Sequence, residues 1–212
     1  MDVEWFGYAG AVLLTSMSIP QIARIVRDHS AAGVSLTTWL IFALSGISWL
    51  AYGLILQAPA VIVGNITFVG TTLPVVMLLL RRQRRWQVLP AVAAPLAAAV
   101  VLVAGLRQVP AVIPSSLGVL CGTLTTVPQL FVSLRRRRNR EISEVSLATL
   151  GLLATGQLLW LSYGLARPDV PIIVTNVIAV AVTFTLIIVE AGARLGRSST
   201  ESTQVADSDP RH

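Results

Sequence analysis

Seven long apolar stretches limit what this chain can fold into. They cover about residues 5–26, 36–56, 60–80, 88–106, 111–134, 145–166 and 170–191. A helix needs about 20 apolar residues to cross the hydrocarbon core of a bilayer, and each stretch approaches or exceeds that length. Together they take up most of the 212 residues and leave no room for a soluble catalytic domain. We therefore expect an all-α membrane protein with seven transmembrane helices.

The composition argues against several functional classes. Only 12% of the residues are charged, whereas a soluble domain carries about 25%. The basic residues are all arginine and lie between the apolar stretches rather than along one face, so we expect no nucleic-acid partner. Cys121 has no second cysteine to pair with, and His29 and His212 are far apart, so we expect no metal site and no cofactor. The chain has no histidine cluster, paired acids or Gly-x-Ser-x-Gly sequence, and we expect no enzyme.

The placement of the arginines predicts the orientation. Fourteen of the sixteen lie in alternate connections or in the tail, and only Arg107 and Arg167 lie on the other side. By the positive-inside rule, the N-terminus is outside and the C-terminus is in the cytosol. Asp2 and Glu4 precede the first stretch, which is therefore not a signal peptide of the usual positively charged type. We expect a multi-pass plasma-membrane protein with a disordered cytosolic tail over 192–212.

Several short motifs occur twice along the chain at nearly constant spacing. A Trp-x-x-Tyr-Gly sequence and an asparagine recur at an offset of 111 residues, and a Pro-Gln pair recurs at an offset of 108. Recurrence at a fixed offset is typical of a duplicated structural unit. The paired positions are Pro20/Pro128, Gln21/Gln129, Trp49/Trp160, Tyr52/Tyr163 and Asn65/Asn176.

The duplication divides the chain into two three-helix repeats. We place the first repeat over 5–80, a linker helix over 88–106 and the second repeat over 111–191. Three crossings would leave a directly fused second copy upside down, and the linker helix restores its orientation. The repeats are then parallel, and transporters built from such repeats bind their substrate near the midplane, between the halves.

These features resemble the SWEET sugar transporters of the PQ-loop superfamily over about residues 5–191. The resemblance rests on Pro-Gln in the first helix of each repeat, Trp-x-x-Tyr-Gly in the second and asparagine in the third. It implies a bidirectional facilitative uniporter that moves a mono- or disaccharide by alternating access. Two fused repeats can already complete one pathway, and the sequence leaves a homo-oligomer open.

The resemblance also assigns roles to the paired residues. Side-chain amides suit sugar hydroxyls because they both donate and accept hydrogen bonds, and the tryptophan pair is expected to stack on the apolar face of the sugar. The implied substrate-binding residues are Asn65, Asn176, Trp49, Trp160, Ser16, Ser45, Leu124 and Gly156. The implied hinge and gate residues are Pro20, Gln21, Pro128, Gln129, Tyr52, Tyr163, Thr38 and Thr149. The two threonines stand where the family typically carries proline.

Each role has a structural alternative that the sequence leaves open. The prolines can be static kinks, the asparagines can join helices, and the tryptophans can be interfacial anchors. No acidic residue lies at the centre of an apolar stretch, so we predict transport without proton coupling. A carrier of another neutral solute, such as an amino acid, and a non-transporting receptor of the same fold are the competing interpretations. The first is expected to need an acid along its path, and the second a charged pocket.

Overall fold

Helices account for nearly all of the part of the chain that the structure, a computed structural model, describes: residues 2–16, 35–82, 109–138 and 146–207, with single residues at 19, 23 and 27. These helices are α1 (Glu4–Ser16), α2 (Leu36–Leu56), α3 (Pro59–Arg82), α4 (Val112–Arg138), α5 (Leu147–Ala166) and α6 (Val170–Asp207). The predicted all-α class is confirmed. The predicted linker helix over 88–106 lies outside the described residues.

Local sequence accounts for several helix ends. Ser35 caps α2, because its hydroxyl accepts a hydrogen bond of 3.3 Å from the backbone N–H of Thr38. At the other end of α2, Gln57 adopts a left-handed backbone with φ of 51°, which turns the chain back. Pro59 then opens α3, where its missing N–H costs no helical hydrogen bond. Asp169 caps α6 in the matching turn of the second repeat by accepting from the N–H of Ile172 at 3.1 Å.

The last helix is longer than the sequence predicts. The apolar stretch ends near residue 191 and a disordered tail is expected after it, but α6 continues to Asp207. The residues that follow the stretch contain no proline before Pro210 and include good helix formers such as alanine, leucine and arginine. Once the packed part of α6 has formed, adding further residues to an existing helix is far easier than starting a new one.

Three of the described helices are long and apolar enough to cross a membrane. They are Leu36–Leu56, Pro59–Arg82 and the first part of α6, Val170–Gly192. Val112–Pro128 of α4 forms a shorter apolar helix. Because several such helices pack side by side, the protein is a multi-pass membrane protein. The full count of seven crossings stays a prediction.

The described helices form a closed ring in the order α1, α3, α2, α4, α6 and α5, with α5 packing against α1 again. Within each repeat, the third helix lies between the first and the second. Between repeats, the first helix of one contacts the second helix of the other, as α1 with α5 and α4 with α2. The same order in both halves is expected of a duplicated unit, and it leaves a central space that both repeats face.

The two ends of the ring differ in charge and in packing. We call the end with Arg81, Arg82 and Arg135 the arginine end, and the opposite end, with Glu4 and Asp169, the acidic end. At the acidic end, one hydrophobic cluster joins both repeats and contains Tyr52, Val61, Tyr163 and Ile172. At the arginine end, two separate clusters each lie within one repeat, around Leu36, Val75 and Leu79 and around Leu150, Val182 and Leu186. In the described residues, the repeats therefore pack on each other mainly at the acidic end.

Two buried threonines give a prediction about stability. Thr72 of α3 and Thr183 of α6 are paired at the offset of 111 residues, and both are fully buried. Neither hydroxyl has a hydrogen-bond partner in the described part of the chain. A buried polar group without a partner costs about 1–3 kcal/mol. Since valine has nearly the same shape, we expect Thr72→Val and Thr183→Val each to raise the melting temperature of the protein in detergent.

Thr126→Val is the matched control. The hydroxyl of Thr126 donates to the carbonyl of Gly122 at 2.8 Å, so its removal relieves no unpaired group. A fall in the melting temperature for both Thr72→Val and Thr183→Val would contradict this account of the two hydroxyls.

Candidate functional site

A cavity of about 180 Å³ lies inside the ring of helices. Its lining comes from all the described helices except α4 and consists of Ala11, Leu14, Thr15, Trp49, Val61, Gly64, Asn65, Phe68, Trp160, Ile172, Thr175 and Asn176. No charged side chain is among these described residues. Two indoles and several aliphatic groups supply apolar walls, while amides and hydroxyls supply the polar contacts. Such a lining suits an uncharged solute that has both apolar and hydrogen-bonding faces.

Both asparagines and both tryptophans of the repeated motifs line this one cavity. Each asparagine donates an amide hydrogen bond to the carbonyl four residues earlier in its own helix. The bond from Asn65 to Val61 and the bond from Asn176 to Ile172 are both 2.8 Å long. This bond holds the amide in place on its helix and uses only one of its two N–H groups. The second N–H and the carbonyl oxygen remain to bind a ligand.

Each indole contacts a tyrosine of its own helix and a glycine of the other repeat. The ring of Trp49 meets that of Tyr52 edge to face at 5.5 Å between centroids, and Trp160 meets Tyr163 in the same way at 5.4 Å. Trp49 also lies against Gly118 of α4, and Trp160 lies against Gly10 of α1. The indoles therefore stand at both contacts between the repeats.

The two tyrosines connect the cavity to carboxylates at the acidic end. The hydroxyl of Tyr52 donates to Asp169 at 2.9 Å, which links α2 to the start of α6. The hydroxyl of Tyr163 donates to Glu4 at 3.4 Å, which links α5 to α1. Each tyrosine thus touches a central indole with its ring and a carboxylate with its hydroxyl.

Glu4 joins three helices at the acidic end. Besides Tyr163, it forms an ion pair with Arg167 and accepts a hydrogen bond of 2.8 Å from the backbone N–H of Ala60 at the start of α3. Desolvation alone would lower the pKa of Arg167, but Tyr163 and Glu4 outweigh it and the pKa is raised. The guanidinium therefore keeps its charge, and Glu4 keeps a cationic partner. Together these contacts close the acidic end of the ring.

The four residues predicted to set the width of the pocket do not line the cavity. Ser45 is buried, with its hydroxyl 3.5 Å from the carbonyl of Gly118, and Gly156 is buried against Leu14. Ser16 and Leu124 are exposed, and the hydroxyl of Ser16 donates to a carbonyl of its own helix. All four lie about one turn closer to the arginine end than the lining. Their place is between the cavity and that end.

The remaining hinge and gate candidates lie away from the cavity. Pro128 is exposed on α4, which continues past it to Arg138. Thr38 and Thr149 are the third residues of α2 and α5, at the arginine end. Pro20, Gln21 and the side chain of Gln129 lie outside the described residues.

Sequence reasoning missed part of the lining because those positions do not recur. Thr15 and Thr175 add hydroxyls to the cavity, and Phe68 adds an aromatic wall. The counterpart of Thr175 in the first repeat is Gly64, and the counterpart of Phe68 in the second is Ala179. The charged contacts of Glu4 and Asp169 at the acidic end are also unpaired, and a search for repeated residues finds neither.

The tyrosine contacts yield a prediction about the acidic end. Hydrogen bonds to a charged group contribute about 1.5–3 kcal/mol. The bond from Tyr52 to Asp169 is short, whereas that from Tyr163 to Glu4 is long at 3.4 Å. We expect Tyr52→Phe to lower the melting temperature in detergent by more than Tyr163→Phe does.

Tyr8→Phe is the control, because the hydroxyl of Tyr8 makes no hydrogen bond within the described residues. It should leave the melting temperature unchanged. Equal effects of Tyr8→Phe and Tyr52→Phe would show that the bond to Asp169 adds no stability.

Comparison with known proteins finds relatives for this chain. A family model described as PQ loop repeat matches residues 3–62. An uncharacterized protein of Methanocaldococcus jannaschii is 44% identical over 66 residues, which are 30% of this chain and 68% of that protein. The sugar transporter SemiSWEET of Escherichia coli is 29% identical over 79 residues, 37% of this chain and 89% of that protein. A SemiSWEET of a Vibrio species is 38% identical over 50 residues, 23% of this chain and 52% of that protein.

A solved structure shares the fold over nearly the whole chain. The structure of a eukaryotic SWEET transporter matches with a TM-score of 0.75 and covers 91% of this chain and 95% of its own. The two sequences are only 16% identical, so the likeness concerns the arrangement of the helices.

Proposed function

The chain belongs to the SWEET family of PQ-loop proteins, and on that basis we propose that it is a sugar transporter, a bidirectional facilitative uniporter of a mono- or disaccharide. The observation that carries the proposal is the uncharged central cavity, in which two indoles and two asparagines from both repeats meet. The SemiSWEET relatives, which are named as sugar transporters, support the substrate class.

The chemistry of the lining matches the surface of a sugar. A pyranose ring has hydroxyls around its rim and C–H groups on its faces. The indoles of Trp49 and Trp160 offer flat apolar surfaces to the C–H groups. The amides of Asn65 and Asn176 keep free donors and acceptors for the hydroxyls, because each uses only one N–H in its own helix. Binding therefore needs no charge on the solute.

Alternating access accounts for the difference between the two ends. The hydrophobic cluster and the contacts of Glu4 and Asp169 close the acidic end, while the repeats pack separately at the arginine end. In the proposed cycle, Tyr52 and Tyr163 gate the acidic end, and the arginine end opens and closes through hinges at Pro20 and Pro128. A proline removes one backbone hydrogen bond from a helix, which makes that turn easier to bend.

The uniport mechanism follows from the absence of acids in the described lining. Proton-coupled carriers place a carboxylate within the membrane, where protonation can be linked to the movement of the substrate. The described carboxylates of Glu4 and Asp169 lie instead at the acidic end and are engaged with Arg167 and with backbone N–H groups. Sugar alone, moving down its gradient, is the proposed cargo.

The proposed orientation puts the acidic end outside and the arginine end in the cytosol of a plasma-membrane protein. We expect a membrane-impermeant maleimide added to intact cells to label Pro110→Cys and to leave Arg81→Cys unlabelled. Both residues are exposed and lie at opposite ends of the ring. The variants are made in a Cys121→Ser background, which serves as the unlabelled control. Labelling of Arg81→Cys alone would reverse the orientation.

Counterflow into proteoliposomes tests the function itself. Purified protein in vesicles loaded with unlabelled sugar should take up labelled glucose or sucrose without any ion gradient. We expect Asn65→Ala and Trp160→Ala each to reduce uptake at low sugar concentration at least tenfold, equivalent to about 1.4 kcal/mol of binding. Trp5→Ala should retain uptake, because Trp5 is exposed and lies outside the lining.

Two results would overturn the proposal. Uptake that requires a proton gradient would replace uniport by coupled transport. No uptake of either sugar by folded protein would favour another neutral solute, and an amino-acid panel in the same vesicles would then test the carrier alternative.

A further inference from the structure

Two glycines without an assigned role lie directly against the central indoles. A Cβ atom built on Gly10 would stand 2.8 Å from Cδ1 of Trp160. A Cβ atom built on Gly118 would stand 2.7 Å from Cε2 and Nε1 of Trp49. Carbon atoms in contact normally lie about 3.5–4.0 Å apart. Neither position accepts a side chain while the indole stays in place.

The two glycines are equivalent positions of the two repeats. Gly118 follows Gly10 by 108 residues, the same offset that relates Pro20 and Pro128. Gly10 lies on α1 where it contacts α5, and Gly118 lies on α4 where it contacts α2. Each contact between the repeats thus has one glycine of a first helix facing one tryptophan of a second helix.

The surroundings of Trp160 determine where its indole would move. Gly64 of α3 stands on another side of the ring, and a Cβ atom built there would lie 3.1 Å from Cζ2. The ring of Tyr163 meets the indole along its own helix. The cavity is the side on which the indole has open space. An added methyl group on Gly10 therefore displaces the indole into the cavity.

We propose that Gly10 and Gly118 are positioning residues that set the distance between the two indoles and thereby the largest sugar that the cavity admits. This inference rests on the proposed function of the cavity. Glycine inside a helix is less stable than alanine by about 0.5–1 kcal/mol. The room that glycine leaves for the indole offsets that cost at these two positions.

The test compares Gly10→Ala and Gly118→Ala with two helical glycines that have open space around them. Gly70 and Gly151 have no atom within 4 Å of a built Cβ, and their alanine variants are the matched controls. Equilibrium binding of labelled pentose, hexose and disaccharide is measured on each purified protein. The ratio of the affinities does not depend on the folded fraction, so a loss of stability alone does not change it.

We expect Gly10→Ala and Gly118→Ala to weaken hexose binding at least tenfold more than pentose binding, and disaccharide binding more again. Gly70→Ala and Gly151→Ala should keep the wild-type ratios. Equal losses for all three sugars in both site variants would overturn the inference. Wild-type protein that binds no sugar would instead refute the proposed function and the inference with it.

A second set of variants enlarges the space and keeps the inference falsifiable if an alanine variant fails to fold. Trp160→Phe and Trp49→Phe carry smaller rings, so each should shift the affinity ratio towards the larger sugar. Double-mutant cycles then test the pairing. Gly10→Ala should cost less hexose affinity in Trp160→Phe than in the wild type and the same in Trp49→Phe. Gly118→Ala should show the reverse pattern. Equal coupling of each glycine to both tryptophans would contradict the pairing.

Discussion

The contact of each central tryptophan with a helix of the other repeat is the interaction on which the rest of the structure depends. Trp49 on Gly118 and Trp160 on Gly10 hold the two repeats together at the level of the cavity. The same indoles form two of the cavity walls and pack against Tyr52 and Tyr163, whose hydroxyls reach Asp169 and Glu4. Packing between the repeats, the shape of the cavity and closure of the acidic end therefore share the same two side chains. A change in the angle between the repeats has to move all three together.

Backbone chemistry explains why so few side chains carry the polar character of the cavity. Within a bilayer, helices satisfy their own N–H and C=O groups, so polar contacts for a solute must come from side chains. Asn65 and Asn176 use one N–H each on their own helix and keep the rest of the amide. The amide is thus already partly satisfied in the empty protein, which reduces the cost of keeping it in an apolar region. The solute completes a set of hydrogen bonds that the helix has begun.

How much the sequence predicts depends on whether a residue recurs. The bounds of α2, α3 and α5 follow closely from the apolar stretches, and the tryptophan and asparagine pairs lead to the cavity because both copies point to it. Thr175 and Glu4 have no counterpart of the same type, so the repeat gives no signal for them. Ser45 and Leu124 are expected in the lining because a helical turn separates them from marked residues. The depth of the cavity along the helices is a property of the packed ring, and spacing within one helix does not reveal it.

The differences between the repeats have a consequence for the pose of a bound molecule. In a site with strict two-fold symmetry, a molecule turned by half a revolution would meet the same atoms, and two poses would be equally populated. Here Thr175 stands where the other half has Gly64, and Phe68 stands where the other half has Ala179. The two poses differ in free energy, and the equivalence is lost. A molecule that crosses this site does so with one end preferentially facing each half.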